Sequence, residues 1–122
     1  MTTTYVILLP GDESRWESAS AEHRAAMYGV HQEFSDLLAA RGHKVTGGAE
    51  LTHSREAKVV RRTGDSIDVT DGPYAESVEQ LTGFYLVESD DLDDLLRIAS
   101  MLGGEDGAVE VRAAVDHSGS DA

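Results

Sequence analysis

A strand followed by a helix is encoded by residues 83–102, which read GFYLVESDDLDDLLRIASML. The run Gly83–Glu88 is rich in aromatic and branched apolar residues, and it predicts a buried strand. Asp90 or Asp91 is placed to cap the helix that follows, because an aspartate side chain accepts a hydrogen bond from the first turn. Gly103–Gly104 then ends the helix. Its apolar stripe recurs every three or four residues: Leu92, Leu95, Leu96, Ala99 and Leu102.

Strands and helices of the same kind lie on either side of this stretch. Val109–Val115 alternates small apolar residues with other side chains, and it predicts a last strand with one buried face. Near the start of the chain, Tyr5–Leu9 predicts a first buried strand. Ser20 is placed to cap a helix of about 20 residues, and Gly42 ends it. The apolar face of this helix consists of Met27, Val30, Phe34, Leu37 and Leu38.

Three further strand-like segments lie in the middle of the chain. Val45–Leu51 predicts a second strand, and its Gly47–Gly48 pair predicts a bulge or a close approach of the backbone. Ala57–Arg62 and Ser66–Thr70 flank a short glycine-containing loop. Such a pattern predicts a β-hairpin.

These elements predict an α+β fold in the order β-α-β, hairpin, β-α-β. The two β-α-β units form a ferredoxin-like sandwich with an inserted β-hairpin, in which both helices cover one face of an antiparallel sheet. We expect residues 1–115 to be a single domain and residues 116–122 to be a flexible polar tail. Residues 12–18 are expected to be a polar loop that Trp16 attaches to the body. The second face of the sheet has little to cover it, and this predicts a homodimer.

The composition excludes several classes of function. The 122 residues include 10 Lys and Arg and 23 Asp and Glu, for a formal net charge of −13. An acidic surface repels nucleic acid and anionic membranes, so neither is expected as the main partner. No cysteine is present, so disulfides and thiolate chemistry are excluded. Because no signal or membrane segment is evident either, we expect a cytoplasmic protein.

The chain resembles the DGPF proteins of the YCII-related family in three segments. These are Asp71–Glu76 (DGPYAE) with its continuation to Leu86, the opening strand Tyr5–Leu9 with the residues after it, and the closing segment Gly107–Arg112. The resemblance therefore covers the chain apart from its tail. Tyr74 stands where the family has Phe, which keeps an aromatic ring and adds a hydroxyl. Val78 stands where lysine is frequent, so an anion-binding role of that position is not transferred.

The resemblance implies a dimeric, barrel-like α+β assembly with a pocket near the dimer centre. It also implies acid–base chemistry by a His–Asp pair, as proposed for a lyase-type member that removes chloride from chlorinated hydroxyquinones. The family histidine lies 11 residues before the glycine that ends the first helix, and His31 and Gly42 have this spacing. Asp71 is the best candidate for the aspartate. Many DGPF members are encoded beside extracytoplasmic-function sigma factors, and this implies a regulatory role as the alternative.

His31 and Asp71 are the candidate catalytic residues. His31 lies on the apolar face of its helix, and its ordinary pKa near 6.5 suits proton transfer at neutral pH. The competing interpretation is a core histidine whose ring is satisfied by a backbone carbonyl. Asp71 has a competing interpretation as well, because an aspartate before Gly-Pro commonly caps a turn.

Five further residues are candidates for substrate binding: Phe34, Tyr74, Glu76, Glu79 and Tyr85. The aromatic residues would form the wall of a pocket, and packing is the competing interpretation. Glu76 and Glu79 are three residues apart, a spacing that places two carboxylates on one face of a helical turn. Solvated loop acids are the more common explanation of such a pair. No cofactor or metal is predicted, and the residues leave open whether the protein is a small-molecule enzyme or a regulatory partner.

Overall fold

The computed structural model of the protein describes residues 2–103 and 107–118. The chain forms, in order, β1 (Thr3–Asp12), α1 (Glu13–Ser18), α2 (Ala21–Ala40), β2 (Lys44–Glu50), β3 (Lys58–Thr63), β4 (Ser66–Asp71), β5 (Glu79–Ser89), α3 (Leu92–Ala99) and β6 (Glu110–Ala113). Short 3-10 turns follow β2 and α3. The predicted helix end at Gly104 and the tail residues 119–122 lie outside the described residues.

The main sheet has four strands in the order β2-β5-β1-β6, and all neighbours are antiparallel. This order is that of two split β-α-β units. The predicted α+β class is therefore confirmed. Strands β3 and β4 form a separate two-stranded hairpin, as the sequence predicts.

Both long helices pack on one face of the main sheet. Ile7 of β1 and Val87 of β5 are fully buried there, against Phe34 and Leu38 of α2 and Leu95 of α3. On the helices, the contacting residues are apolar and recur with helical spacing. On the central strands, they are alternate residues, which share one face of the sheet. This packing fixes which side of α2 faces the sheet.

Three of the predicted helix ends are confirmed in atomic detail, whereas α3 ends at Ala99 and a 3-10 turn continues to Gly103. The Ser20 side chain accepts a hydrogen bond from the backbone N–H of His23, and the Asp91 side chain accepts one from that of Asp94. Gly42 follows α2 with a φ of +88°, a conformation that glycine adopts without steric cost. These caps fix where α2 and α3 begin and where α2 ends.

The prediction of a polar loop at residues 12–18 is wrong, because Glu13–Ser18 forms α1. The Asp12 side chain caps this helix by accepting from the N–H groups of Ser14 and Arg15. Six residues make less than two turns, so the segment lacks the apolar repeat by which a longer helix is predicted.

Strand β2 contains an irregularity at Thr46. Val45 lies opposite Val87 of β5, but the next paired residue, Gly47, lies opposite Leu86. Thr46 is thus an extra residue on β2, which is the definition of a β-bulge. The predicted bulge near Gly47–Gly48 is confirmed.

Candidate functional site

His31 of α2 makes a hydrogen bond with Tyr85 of β5. Its Nδ1 atom lies 2.7 Å from the Tyr85 hydroxyl, and both side chains are half-buried. The two rings are stacked with their centroids 5.8 Å apart. The sequence places both residues among the candidates, and the structure brings them together.

Two neighbours hold the Tyr85 ring in position. Phe34, one turn after His31, is fully buried and its ring centroid lies 5.0 Å from that of Tyr85. Gly48 of β2 lies directly opposite Tyr85, and a Cβ atom there would lie 2.5 Å from the Phe84 carbonyl oxygen. The absence of a side chain at Gly48 therefore allows β2 to approach the strand that carries Tyr85.

A carboxylate and a second tyrosine extend this group. Glu50, the last residue of β2, accepts a hydrogen bond from the Tyr28 hydroxyl, with distances of 3.1 and 3.2 Å to its two oxygens. Tyr28 lies one helical turn before His31, and Trp16 of α1 packs edge-on against it with centroids 5.6 Å apart. We define Trp16, Tyr28, His31, Glu50 and Tyr85 as the His31 cluster.

Burial sets the protonation of the two hydrogen-bonded rings. It lowers the pKa of His31, while the negative charge of Glu50 opposes this shift. Burial also raises the pKa of Tyr85. The imidazole is therefore neutral and the phenol protonated at pH 7. With Nδ1 bonded to Tyr85, the Nε2 atom remains available for an added ligand.

Asp71 lies elsewhere, at the end of β4 in the hairpin. Its exposed carboxylate forms an ion pair with Lys58, which is opposite it in the β3–β4 register. The hydrogen bond from Lys58 holds the pKa of Asp71 below its ordinary value. Within the part of the chain that the structure describes, Asp71 and His31 make no hydrogen bond to each other.

The remaining candidates are dispersed. Tyr74 is 83% exposed in the loop after the hairpin. Glu76 is exposed in the same loop, and Glu79 begins strand β5. The two glutamates thus do not share a helical turn. Phe34 is 0% exposed, so in this chain it supports Tyr85 from within the core.

Sequence reasoning missed Tyr28, Glu50 and the role of Trp16 in this group. Tyr28 and His31 are three residues apart on α2, a spacing that places them on one helix face and that could have been noticed. Glu50 is brought near His31 by strand pairing over a long sequence separation. No short motif signals that contact.

A second polar group joins the ends of α2, β5 and α3. The buried His43 lies 2.8 Å from Ser89 through Nδ1 and donates from Nε2 to Asp94, also at 2.8 Å. Arg41 forms an ion pair with the same carboxylate at 2.6 Å. Because Ser89 is only 3% exposed and also bonds the backbone of Asp91, this Ser–His–Asp arrangement is a structural connection.

The described residues 2–103 and 107–118 contain no group of three His, Cys, Asp or Glu side chains arranged to hold a metal ion. Over the same residues, no helix is long and apolar enough to cross a membrane.

Comparison with known proteins identifies the family. The YCII-related domain matches residues 3–116. An uncharacterized protein of Rhizobium meliloti (strain 1021) is 33% identical over 116 residues, which cover 88% of this chain and 89% of that protein. The family predicted from the DGPYAE segment and the two chain ends is thereby confirmed. The chain belongs to the YCII-related domain family.

Proposed function

We propose that the protein binds a small organic molecule at the His31 cluster and that His31 exchanges a proton with it. The observation that carries this proposal is the 2.7 Å hydrogen bond between His31 Nδ1 and the Tyr85 hydroxyl, in a half-buried position. A histidine that is held by one ring nitrogen presents the other in a fixed direction. Such pre-orientation is what a general acid or base requires.

The electrostatics of the cluster favour the role of a base. Burial keeps His31 neutral at pH 7, so it is able to accept a proton at Nε2 when Nδ1 donates to Tyr85. The imidazolium that forms is stabilised by the nearby Glu50 carboxylate. In a lyase-like reaction a base removes a proton from the substrate as the leaving group departs. Glu50 would then supply, within one chain, the charge that the family resemblance assigns to an aspartate.

The proposal includes a homodimer in the cytoplasm. On the sheet face opposite the helices, Val6 lies beside Leu86 and Leu8 beside Phe84, and all four are partly exposed. An apolar surface of this kind favours packing against the same surface of a second copy. The barrel-like assembly follows from that packing, whereas the His31 cluster lies on the other face of the sheet, which carries Tyr85 and Val87.

We expect Glu50→Gln to lower the pKa of His31 further. The substitution removes a negative charge that favours the imidazolium, whereas Asp71→Asn removes a carboxylate that is paired with Lys58. The pKa of His31 should therefore stay unchanged in Asp71→Asn. Long-range ¹H–¹⁵N spectra across pH 4–9 measure both values, with the His31 signals assigned by their loss in His31→Asn. If the pKa of His31 fell in Asp71→Asn and not in Glu50→Gln, Asp71 rather than Glu50 would be the carboxylate that stabilises the imidazolium.

A hydroxylated aromatic probe tests binding directly. Hydroquinone should bind the wild-type protein in isothermal titration calorimetry, and His31→Asn should weaken the affinity about tenfold, since a ligand hydrogen bond is lost. His23→Asn is the matched control, because His23 is an exposed histidine of the same helix. Equal affinities of the two variants would show that the probe does not bind at Nε2 of His31.

The alternative function is that of a regulatory interaction protein, for example one linked to a sigma factor. Two apolar side chains of the loop after the hairpin favour it, because Tyr74 is 83% and Val78 is 76% exposed. Exposed apolar loops are common at sites of protein contact. Under this alternative, hydroquinone does not bind, and Tyr74→Ser with Val78→Ser prevents recovery of the purified sigma factor in a pull-down.

A further inference from the structure

The β3–β4 hairpin is a two-stranded sheet separate from the main sheet. All six residues of β4 are exposed, and of the six in β3 only Val59 is partly buried. Its strands pair with each other and with no strand of the main sheet. An isolated two-stranded hairpin is marginally stable in water. Packing of the exposed strands against another surface would therefore stabilise the hairpin.

One face of the hairpin is apolar. Val60 lies directly opposite Val69, and Ile67 lies opposite Arg62 one pair further along the same face. The exposed fractions of Val60, Ile67 and Val69 are 62%, 56% and 60%. More than half of each side chain is thus available for contact. We name these three residues and Arg62 the hairpin face.

The charge of the hairpin differs from that of the rest of the protein. Residues 58–71 contain three basic and three acidic side chains, so the whole formal charge of −13 resides outside them. Lys58 is paired with Asp71. Arg62 makes no ion pair with any residue that the structure describes. An exposed arginine without an ion-pair partner among the described residues is attracted to an acidic surface.

We propose that the hairpin is an arm that packs its hairpin face against the acidic body of a second copy of this chain. The body of the same chain has the negative charge that Arg62 requires, because the whole formal charge of −13 lies outside the hairpin. In a two-fold symmetric pair, each arm meets the body of the other copy. This contact rests on the hairpin and not on the chemistry of His31.

Sedimentation velocity of matched variants tests the arm. The double variant Val60→Thr, Val69→Thr keeps branched side chains suited to strands and introduces a hydroxyl at each contact. We expect its dimer dissociation constant to rise at least about tenfold, because desolvating hydroxyls opposes association. The control is Val78→Thr with Val115→Thr, two valines that are each 76% exposed outside the hairpin. This control should dimerise as the wild type does, and Arg62→Gln should weaken the dimer and reduce its dependence on salt.

A single fluorescent label locates the contact. Because the chain has no cysteine, Val69→Cys accepts one environment-sensitive dye, whose emission should shift to shorter wavelength as the dimer forms. Circular dichroism confirms that each variant is folded.

Three results would overturn the arm: a wild-type monomer at about 100 μM, equal dissociation constants for the threonine variant and its control, or a label that does not respond to dimerisation. If Leu8→Thr disrupts the dimer and the hairpin variant does not, the contact lies on the sheet face alone. The pKa of His31 is measured separately in Glu50→Gln, so failure of the arm and failure of the proposed proton exchange at His31 are distinguishable.

Discussion

Phe34→Ala should lower the free energy of unfolding by about 3–5 kcal/mol, the range for truncating a fully buried aromatic side chain. Phe34 is 0% exposed and packs between the sheet and α2. Removing its ring leaves a cavity behind Tyr85, whose centroid is 5.0 Å away. Urea denaturation followed by circular dichroism measures the loss.

The control for this variant is Leu37→Ala on the same helix. Leu37 is 39% exposed, so its truncation should cost less than half as much. The His31 resonances should shift in Phe34→Ala and stay in place in Leu37→Ala, because only the first change loosens Tyr85. Equal losses of stability in the two variants would contradict the assignment of Phe34 as the main support of the site.

Gly48→Ala should lower the free energy of unfolding by about 2–4 kcal/mol, through backbone strain and overpacking together. The φ of Gly48 is +147°, and its added Cβ would lie 2.5 Å from the Phe84 carbonyl oxygen. Both obstacles are backbone features, so a change of side-chain rotamer does not remove them. The expected relief is a displacement of β2 away from β5.

Gly29→Ala serves as the matched control and should have the opposite sign. Gly29 lies within α2, and an added Cβ meets nothing within 4 Å. Alanine there should stabilise the protein by about 0.5–1 kcal/mol, because glycine is the poorer helix former. In thermal unfolding, the Tm of Gly48→Ala should therefore lie below that of the wild type and the Tm of Gly29→Ala above it. A Gly48→Ala variant as stable as Gly29→Ala would contradict the close approach of β2 to Tyr85.

Local signals predicted most of the fold. The caps at Ser20 and Asp91 and the glycine at Gly42 are short-range features, and each appears at the expected residue. The apolar stripes predicted the buried residues of α2 and α3 in part. Leu37, Leu92 and Leu96 belong to the stripes but are exposed, and the buried Ile98 was not included. Helix α1 was not predicted, because its only signal in the sequence is the cap at Asp12.

The candidate site was predicted only in part, because its contacts join residues that are far apart in the sequence. The position of His31 on the inner face of α2 follows from helical spacing, and Tyr85 was named from its aromatic character. Their mutual hydrogen bond joins residues 54 apart in sequence, and spacing contains no information on such a contact. Asp71 was expected near His31, but the register of the hairpin places it opposite Lys58.

The bulge at Thr46 decides which side of the sheet receives the Glu50 carboxylate. Val45 and Glu50 are five positions apart, so in a regular strand their side chains would emerge on opposite sides. Because Thr46 is an extra residue, the side chains of Val45 and Glu50 instead emerge on the same side of the sheet. Glu50 pairs with Gly83, and this side also carries Tyr85 and Val87. Deleting the extra residue of β2 would therefore turn the Glu50 carboxylate to the other face of the sheet without substituting any residue of the His31 cluster. Among relatives, the length of this strand is as informative about the chemistry near His31 as the identity of the residue at its end.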